Sequence, residues 1–293
     1  MNAVLKNNLP WILLIILTFV WGSSFILMKR ALQTFSAAEL GTLRMVFASG
    51  AMLPFALKGF KKITKKQWFY LALFALLGNV LPAYLFAEAQ THIDSSLAGI
   101  LNALTPIFVL VVGLLFYHLK VKPLNVVGLL MGLVGAIAII YSSGTGDMKV
   151  HFGYASLIFL ATIMYSFNIN IVKYKLHDVD PVKISIYGFS LMFVPLVIVL
   201  FTFTPITQTL QNEEAVKALI YPAFLGIVCS AGAIMVFNTV IKLTSTIFAS
   251  LVTYLIPVVA LILGILDGET ITVWSIVWVV FIIIGVMLAN KKV

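Results

Sequence analysis

Apolar residues dominate the chain in ten runs, each close to the roughly 20 residues that an α-helix needs to cross a bilayer. The ten predicted spans are 10–28, 37–57, 68–87, 96–117, 124–141, 153–172, 182–202, 216–240, 247–266 and 271–289. The connections are about 5 to 15 residues long and leave no room for an extramembrane catalytic domain. This pattern predicts an all-α membrane protein.

Composition supports the same class. Of the 293 residues, 62% are hydrophobic and 10% are charged, whereas about a quarter are charged in a typical soluble domain. Twenty-nine charges cannot cover a soluble protein of this length, which excludes a soluble enzyme, a disordered chain and a disulfide scaffold. The single cysteine, Cys229, excludes an intramolecular disulfide and a cysteine-based metal site.

The basic residues set the expected orientation. With the N-terminus in the cytoplasm, fourteen of the nineteen Lys and Arg residues fall in cytoplasmic segments and four fall outside. This bias predicts that both termini are cytoplasmic. No segment is long enough to form a basic domain face, so we expect no nucleic-acid partner; the expected contacts are membrane lipid and a small-molecule solute.

Five predicted spans precede the hydrophilic stretch 142–151 and five follow it, so any repeat must be inverted. The predicted repeats are residues 10–142 and 152–290. A shift of 151 residues aligns Ala98 with Ala249, Leu104 with Leu255, Pro106 with Pro257, Leu110 with Leu261 and Gly113 with Gly264. A shift of 144 aligns Trp21 with Tyr165 and Lys29 with Lys173. Inverted repeats are typical of secondary transporters.

Pro106 and Pro257 predict helix breaks in corresponding spans. Proline removes a backbone donor and frees a carbonyl one turn back, which lipid does not tolerate unless protein or water lies against it. Paired broken helices point to a solute site near the middle of the membrane. The alternative, equally weighted for each proline alone, is that each merely bends a helix for packing.

Several stretches resemble EamA-type transporters of the drug/metabolite transporter superfamily. They are 19–25 (FVWGSSF) followed by Lys29, Leu43-Arg44, 95–98 through 104–106, and 249–257 through Gly268-Glu269 to Gly285. The resemblance covers the whole chain as two repeats and implies an inner-membrane metabolite transporter of ten helices. Where the family's first repeat usually carries an acid, this chain has His118; the second repeat has Glu269.

Charges inside spans usually face a cavity or a partner, because burying them is costly. Arg44 is the charge nearest the middle of a span, and two roles stay open: binding a substrate carboxylate, or hydrogen bonding to carbonyls at a helix break. Glu39 lies near the outer edge of the same span and is expected to be solvated. Glu269 is expected to cap the helix that it precedes.

The candidate substrate-binding residues are amides, aromatic residues and the one cation: Asn79, Asn102, Asn168, Trp21, Tyr84, Tyr165 and Arg44. A site lined in this way suits neutral or zwitterionic solutes with an apolar part. Each amide alone is equally typical of helix packing. No metal or cofactor is expected, since the histidines lack metal-ligand spacing.

The sequence favours a secondary transporter that exports a small metabolite such as an amino acid by alternating access, since no nucleotide-binding loop is present. The alternatives are an intramembrane enzyme acting on a lipid or apolar substrate, for which too few polar groups cluster, and a channel. A GxxxG stretch at Gly128–Gly132 favours helix packing within the chain over dimerisation. We expect a monomer or a weak homodimer.

Overall fold

The computed structural model describes residues 3–56, 63–118, 122–143, 148–243 and 246–289, and these contain helices and no strand. The helices are α1 (Ala3–Ala31), α2 (Ala37–Ala56), α3 (Lys65–Ala75), π1 (Leu76–Val80), α4 (Leu81–Ala89), α5 (Ser95–Asn102), α6 (Thr105–Tyr117), α7 (Pro123–Ser143), α8 (Met148–Lys175), α9 (Pro181–Leu191), α10 (Phe193–Phe203), α11 (Ile206–Thr209), α12 (Glu213–Ala218), α13 (Ile220–Phe224), π2 (Leu225–Gly232), α14 (Ala233–Leu243), α15 (Thr246–Leu266) and α16 (Val273–Ala289). The expected all-α class is confirmed.

Seven helical stretches of the described chain are long and apolar enough to cross a membrane. They are Asn8–Ala31, Lys65–Ala89, Ser95–Tyr117, Pro123–Ser142, His151–Lys175, Pro181–Phe203 and Glu213–Phe237. Two shorter apolar helices, Leu255–Leu266 and Val273–Ala289, accompany them. Helix α2 is 20 residues long but is not among the seven, because Glu39 and Arg44 make it more polar.

The predicted span 96–117 is two helices, α5 and α6, and Pro106 lies in the first turn of the second. Because Pro106 has no N–H, the carbonyl of Asn102 loses its usual helical partner. The Thr105 hydroxyl donates to this carbonyl at 2.7 Å instead. The expected break at Pro106 is therefore present, and a side chain stabilises it.

The structure differs from the expectation at Pro257. This residue lies inside α15, which is one helix from Thr246 to Leu266. Proline is tolerated inside membrane helices that pack against other helices, and Gly22 of α1 packs closely against α15 at Ile256 and Val259. The two aligned prolines thus have different effects on their helices.

Two π-helical segments interrupt two of the long spans. π1 lies within Lys65–Ala89 and π2 lies within Glu213–Phe237. A π-helix widens the turn and changes which backbone groups are bonded, and such segments are frequent at functional sites. These are the third and the eighth of the predicted spans, so each predicted repeat carries one in its third span.

Helices α7 and α16 pack closely against each other along a line of glycines, and we call this contact the seam. A Cβ at Gly128 would lie 2.5 Å from the Gly285 oxygen, and a Cβ at Gly285 would lie 2.7 Å from the Gly132 nitrogen. The buried Asn125 side chain donates to the carbonyls of Leu288 and Ala289 at 3.3 and 3.0 Å. Packing of the GxxxG stretch within the chain is thereby confirmed.

We expect Gly128→Ala to lower the free energy of unfolding by about 1 to 3 kcal/mol, because the added methyl group meets backbone that cannot yield. Thermal unfolding of the purified protein in one detergent measures the effect. Gly153→Ala is the matched control, since nothing lies within 4 Å of a Cβ at Gly153 and alanine is the better helix former by roughly 1 kcal/mol. Equal free energies of unfolding for the two variants would contradict close packing of α7 against α16 at Gly128.

Candidate solute-binding site

Two of the predicted site residues, Trp21 and Arg44, donate hydrogen bonds to π2. The Trp21 indole donates to the carbonyl of Cys229 at 2.9 Å. The Arg44 Nε atom donates to the Ser230 hydroxyl at 3.0 Å, and this hydroxyl donates to the carbonyl of Leu225 at 2.9 Å. Consecutive residues of π2 therefore hold one aromatic and one cationic side chain from two different helices.

Helix α2 lies directly against π2, because Gly226 leaves no room for a Cβ beside the Arg44 backbone. Helices α1 and α2 and the segment π2 thus meet beside the Arg44 side chain. They come from both predicted repeats.

Aromatic rings extend this cluster. Phe86 stacks on Tyr165 with ring centroids 6.1 Å apart and also contacts Phe25 at 5.9 Å. Trp21 contacts Phe237 at 5.3 Å. The charged group therefore lies next to large apolar faces, which is an arrangement suited to a solute with one polar end.

The remaining predicted residues lie elsewhere. Asn79, on π1, is buried and donates to the carbonyl of Phe74 at 3.3 Å. The Asn168 amide fills the space in front of Gly78, and its buried Oδ1 has no partner in the described part of the chain. The amides of Asn79 and Asn168 therefore lie at π1, whereas Arg44 binds π2.

Tyr84 and Asn102 have contacts that hold helices together. The Tyr84 and Thr42 hydroxyls share a hydrogen bond of 2.6 Å, and the Tyr84 ring covers Gly41. Asn102 ends α5, and its carbonyl is the acceptor freed by Pro106. Both residues therefore lie where one helix contacts the next: α4 against α2 at Tyr84, and α5 against α6 at Asn102.

The expectation that Glu39 is solvated is wrong, since the residue is only 2% exposed. Its Oε2 accepts from the Ser36 N–H at 2.9 Å and from the Ser36 hydroxyl at 2.8 Å, and the Ser36 hydroxyl accepts from the Glu39 N–H. Its Oε1 accepts from Thr209 at 2.5 Å. This is a capping box at the start of α2, and the Ser-x-x-Glu spacing was the sequence signal for it.

Glu269 caps a helix, but not the one that follows it in the sequence. Its Oε1 accepts from the Ser95 N–H at 3.0 Å and from the Ser95 hydroxyl at 2.6 Å, and its Oε2 accepts from the Ser96 N–H at 3.0 Å. The carboxylate therefore satisfies the free amides at the start of α5. Only the fold brings these residues together, since they are 174 residues apart.

Basic residues at the end of α1 complete this cluster. Lys29 pairs with Glu269 at 2.9 Å and with Asp267 at 2.8 Å, and Arg30 also pairs with Asp267. We call this group of Lys29, Arg30, Ser95, Asp267 and Glu269 the latch. A space of about 10 Å³ beside it, lined in part by Ser96, has room for one water at most. This end of the bundle is closed.

The latch keeps Glu269 ionised. Burial by itself raises the pKa of this carboxyl, but hydrogen bonds from Ser95, Ser96 and Lys29 outweigh it and lower the pKa to about 2. The hydrogen bond from Lys29 is the main cause that lowers the pKa of Asp267. Burial raises the pKa of the nearby Asp94 carboxyl, and the charge of Glu269 raises it further.

Because the pKa of Glu269 falls from 4.5 to about 2 on folding, its stabilisation is complete above about pH 4.5 and is lost as the pH falls toward 2. We expect Glu269→Gln to lower the free energy of unfolding at pH 7 by up to about 3 kcal/mol. The difference from wild type should shrink below pH 4. Thermal unfolding between pH 7 and pH 3 measures it.

The matched control is Glu214→Gln. Glu214 also pairs with a lysine, but 74% of its side chain is exposed, and such surface pairs contribute little. Its removal should leave the unfolding temperature unchanged at every pH. A Glu269→Gln variant with the same behaviour as this control would show that the latch does not stabilise the closed end.

A bundle of apolar helices with polar side chains buried among them defines an integral membrane protein, in which buried charge marks a solute or ion pathway. Residues 9–141 and 153–291 each match the EamA-like transporter family. The chain belongs to this family, and it is a membrane transporter of the drug/metabolite transporter superfamily. The resemblance seen in the sequence is confirmed.

Relatives span nearly the whole chain. An uncharacterized transporter of Clostridium kluyveri is 26% identical over 300 residues, covering 96% of this chain and 94% of its own. The uncharacterized inner membrane transporter YedA of Escherichia coli K12 is 26% identical over 262 residues, covering 87% and 82%. A solved structure with 14% identity covers 95% of both chains at a TM-score of 0.66, which shows the shared fold.

Proposed function

We propose that the protein is a secondary transporter that moves small metabolites across the inner membrane by alternating access. Its solutes are amino acids or similar neutral or zwitterionic compounds with an apolar part, and export is the proposed direction. The single observation that carries this proposal is the binding of Trp21 and Arg44 to consecutive residues of π2. A half-buried cation beside an aromatic side chain within a span is typical of a solute site in a membrane transporter.

The proposed architecture is ten spans in two inverted repeats, residues 10–142 and 152–290. The seven long apolar stretches and the helices α2, α15 and α16 supply the ten. The proposed repeat relates the first span to the sixth and the ninth span to the fourth, so a contact between the first and ninth spans should have a counterpart between the sixth and fourth. The first span contacts the ninth through Gly22 and Val259, and the sixth contacts the fourth through Ser166, which donates to the carbonyl of Thr105 at 3.3 Å.

The two π-helical segments support the same repeat, since each interrupts the third span of its half. Matching irregular segments let two halves of similar packing exchange conformations around a site between them. In this proposal the latch closes one end of the site. Opening toward that side requires the ion pairs of Lys29 and the cap that Glu269 places on α5 to separate.

Solute counterflow into proteoliposomes tests the function. Vesicles loaded with an unlabelled metabolite should accumulate the same labelled metabolite in a saturable manner. Counterflow identifies a carrier, because it requires a site that is exposed to each side in turn. Formation of a new product without counterflow would favour an intramembrane enzyme instead, and non-saturable flux would favour a channel.

On the proposal that Asn79 contacts the solute, we expect Asn79→Ala to raise the half-saturating concentration for the transported metabolite by about two- to ten-fold, the effect of losing one hydrogen bond to the solute. The variant should still reach the membrane, since Asn79 bonds only within its own span. Gln208→Ala, an exposed change at a helix end, is the control and should transport like wild type. Unchanged transport by Asn79→Ala would remove π1 from the solute path.

The basic residues support an orientation with both termini in the cytoplasm, and thiol labelling of intact cells tests it. In a Cys229→Ser background, a cysteine at the exposed Gln211 should react with a membrane-impermeant maleimide, whereas one at the exposed His177 should react only after lysis. These positions lie at opposite ends of the bundle. Labelling of position 177 in intact cells would reverse the orientation.

A further inference from the structure

We infer that Arg44 recognises a carboxylate group of the solute and that the site does not select for an ammonium group. This inference rests on the proposed function and names the chemistry that its site accepts. Within the proposed solutes, the inference selects those that carry one carboxylate beside an apolar or aromatic body, and it extends them to simple monocarboxylates. An amino acid fits this class through its carboxylate alone.

The first observation is the incomplete pairing of Arg44. Its Nε atom is bound to Ser230, and its two terminal nitrogens have no partner within the described part of the chain. The residue is half-buried. An arginine that is held through Nε presents its other nitrogens as a planar fork, and this fork matches a carboxylate in a bidentate manner.

The second observation is that no acid of the described chain neutralises this charge. The ion pairs of the described residues involve Lys29, Arg30 and Lys217, at the ends of helices. Glu39 lies on the same helix as Arg44, but both of its oxygens are occupied by Ser36 and Thr209. A cation left unpaired within a membrane is costly, so a solute carboxylate is the natural counter-charge.

The third observation concerns what the site lacks for an ammonium group. The carbonyls of Cys229 and Leu225, next to Arg44, already accept from Trp21 and Ser230. Glu39, the acid of the same span, is committed to its capping box. Trp21, which binds the residue next to the partner of Arg44, and the neighbouring ring of Phe237 supply the surface that receives an apolar body.

Binding of three matched probes to the purified protein in nanodiscs tests the inference. The probes are 3-phenylpropanoate, L-phenylalanine and 3-phenylpropanamide, with the aliphatic set of 4-methylpentanoate, L-leucine and 4-methylpentanamide beside them. Each is titrated at pH 7.5, and the shift of the thermal unfolding midpoint reports binding. We expect the carboxylate and the amino acid of at least one set to bind within about three-fold of each other, and the carboxamide at least ten-fold more weakly.

Variants separate recognition from folding. Arg44→Gln should make the carboxylate and the carboxamide bind equally, whereas Arg44→Lys should keep a weaker preference for the carboxylate. Ser230→Ala should weaken carboxylate binding but retain the preference, because the guanidinium group loses the hydrogen bond that positions it and keeps its charge. Lys217→Gln, which removes an exposed cation, should bind all probes like wild type. If Arg44→Gln does not fold, the Arg44→Lys and Ser230→Ala variants still decide the matter.

Three results would overturn the inference: equal binding of carboxylate and carboxamide by wild type, a carboxylate preference that survives in Arg44→Gln, or binding of none of the six probes by wild type. Failure of the proposed function has a different signature. In that case the carboxylates bind through Arg44 but support no counterflow in proteoliposomes. The two measurements therefore fail independently.

Discussion

The structure depends on one constraint: a polar group within a bilayer must find its partner inside the protein. The break at Pro106 is possible because the Thr105 hydroxyl takes the freed carbonyl. π2 is held in place because Trp21 and Ser230 donate to its carbonyls. Irregular backbone in this bundle therefore occurs where a side chain can compensate for it. Of the two charges in α2, Glu39 has partners for both carboxylate oxygens, whereas the terminal nitrogens of Arg44 have none within the described part of the chain.

The helical class and the family follow from the sequence, because hydrophobic runs and the local motifs are short-range signals. Trp21 and Arg44 could be selected as candidates, since one aligned with Tyr165 in the repeat and the other was the charge nearest the middle of a span, but their meeting at one segment could not be predicted. The π-helical segments were not, because no residue pattern marks a widened turn. Ser230 could not be predicted as the partner of Arg44 either, since 186 residues separate them. The contrast between Pro106 and Pro257 depends on neighbouring helices, which a single sequence does not reveal.

The two ends of the bundle differ in their electrostatics. At one end, the charge of Glu269 is bound by a lysine and by the first turn of a helix. At the other end, the corresponding position is His118, which ends α6 in a left-handed conformation. Lys173, aligned with Lys29, lies over the Tyr174 ring at 5.1 Å and not beside a carboxylate. The described residues at His118 and Lys173 therefore have no counterpart of the Glu269 cluster. Under the proposed repeat, we expect the two ends to open with different ease.

The seam between α7 and α16 also constrains how the protein is made. Asn125 and its acceptor Leu288 are 163 residues apart. At the usual synthesis rates of about 5 to 20 residues per second, α7 waits roughly 10 to 30 s for its partner. During that interval the α7 face at Gly128 lacks its final neighbours, and the Asn125 amide nitrogen lacks its two carbonyl acceptors. Variants of this seam are therefore expected to lower the amount of protein that completes assembly in the membrane, in addition to the stability of the folded protein.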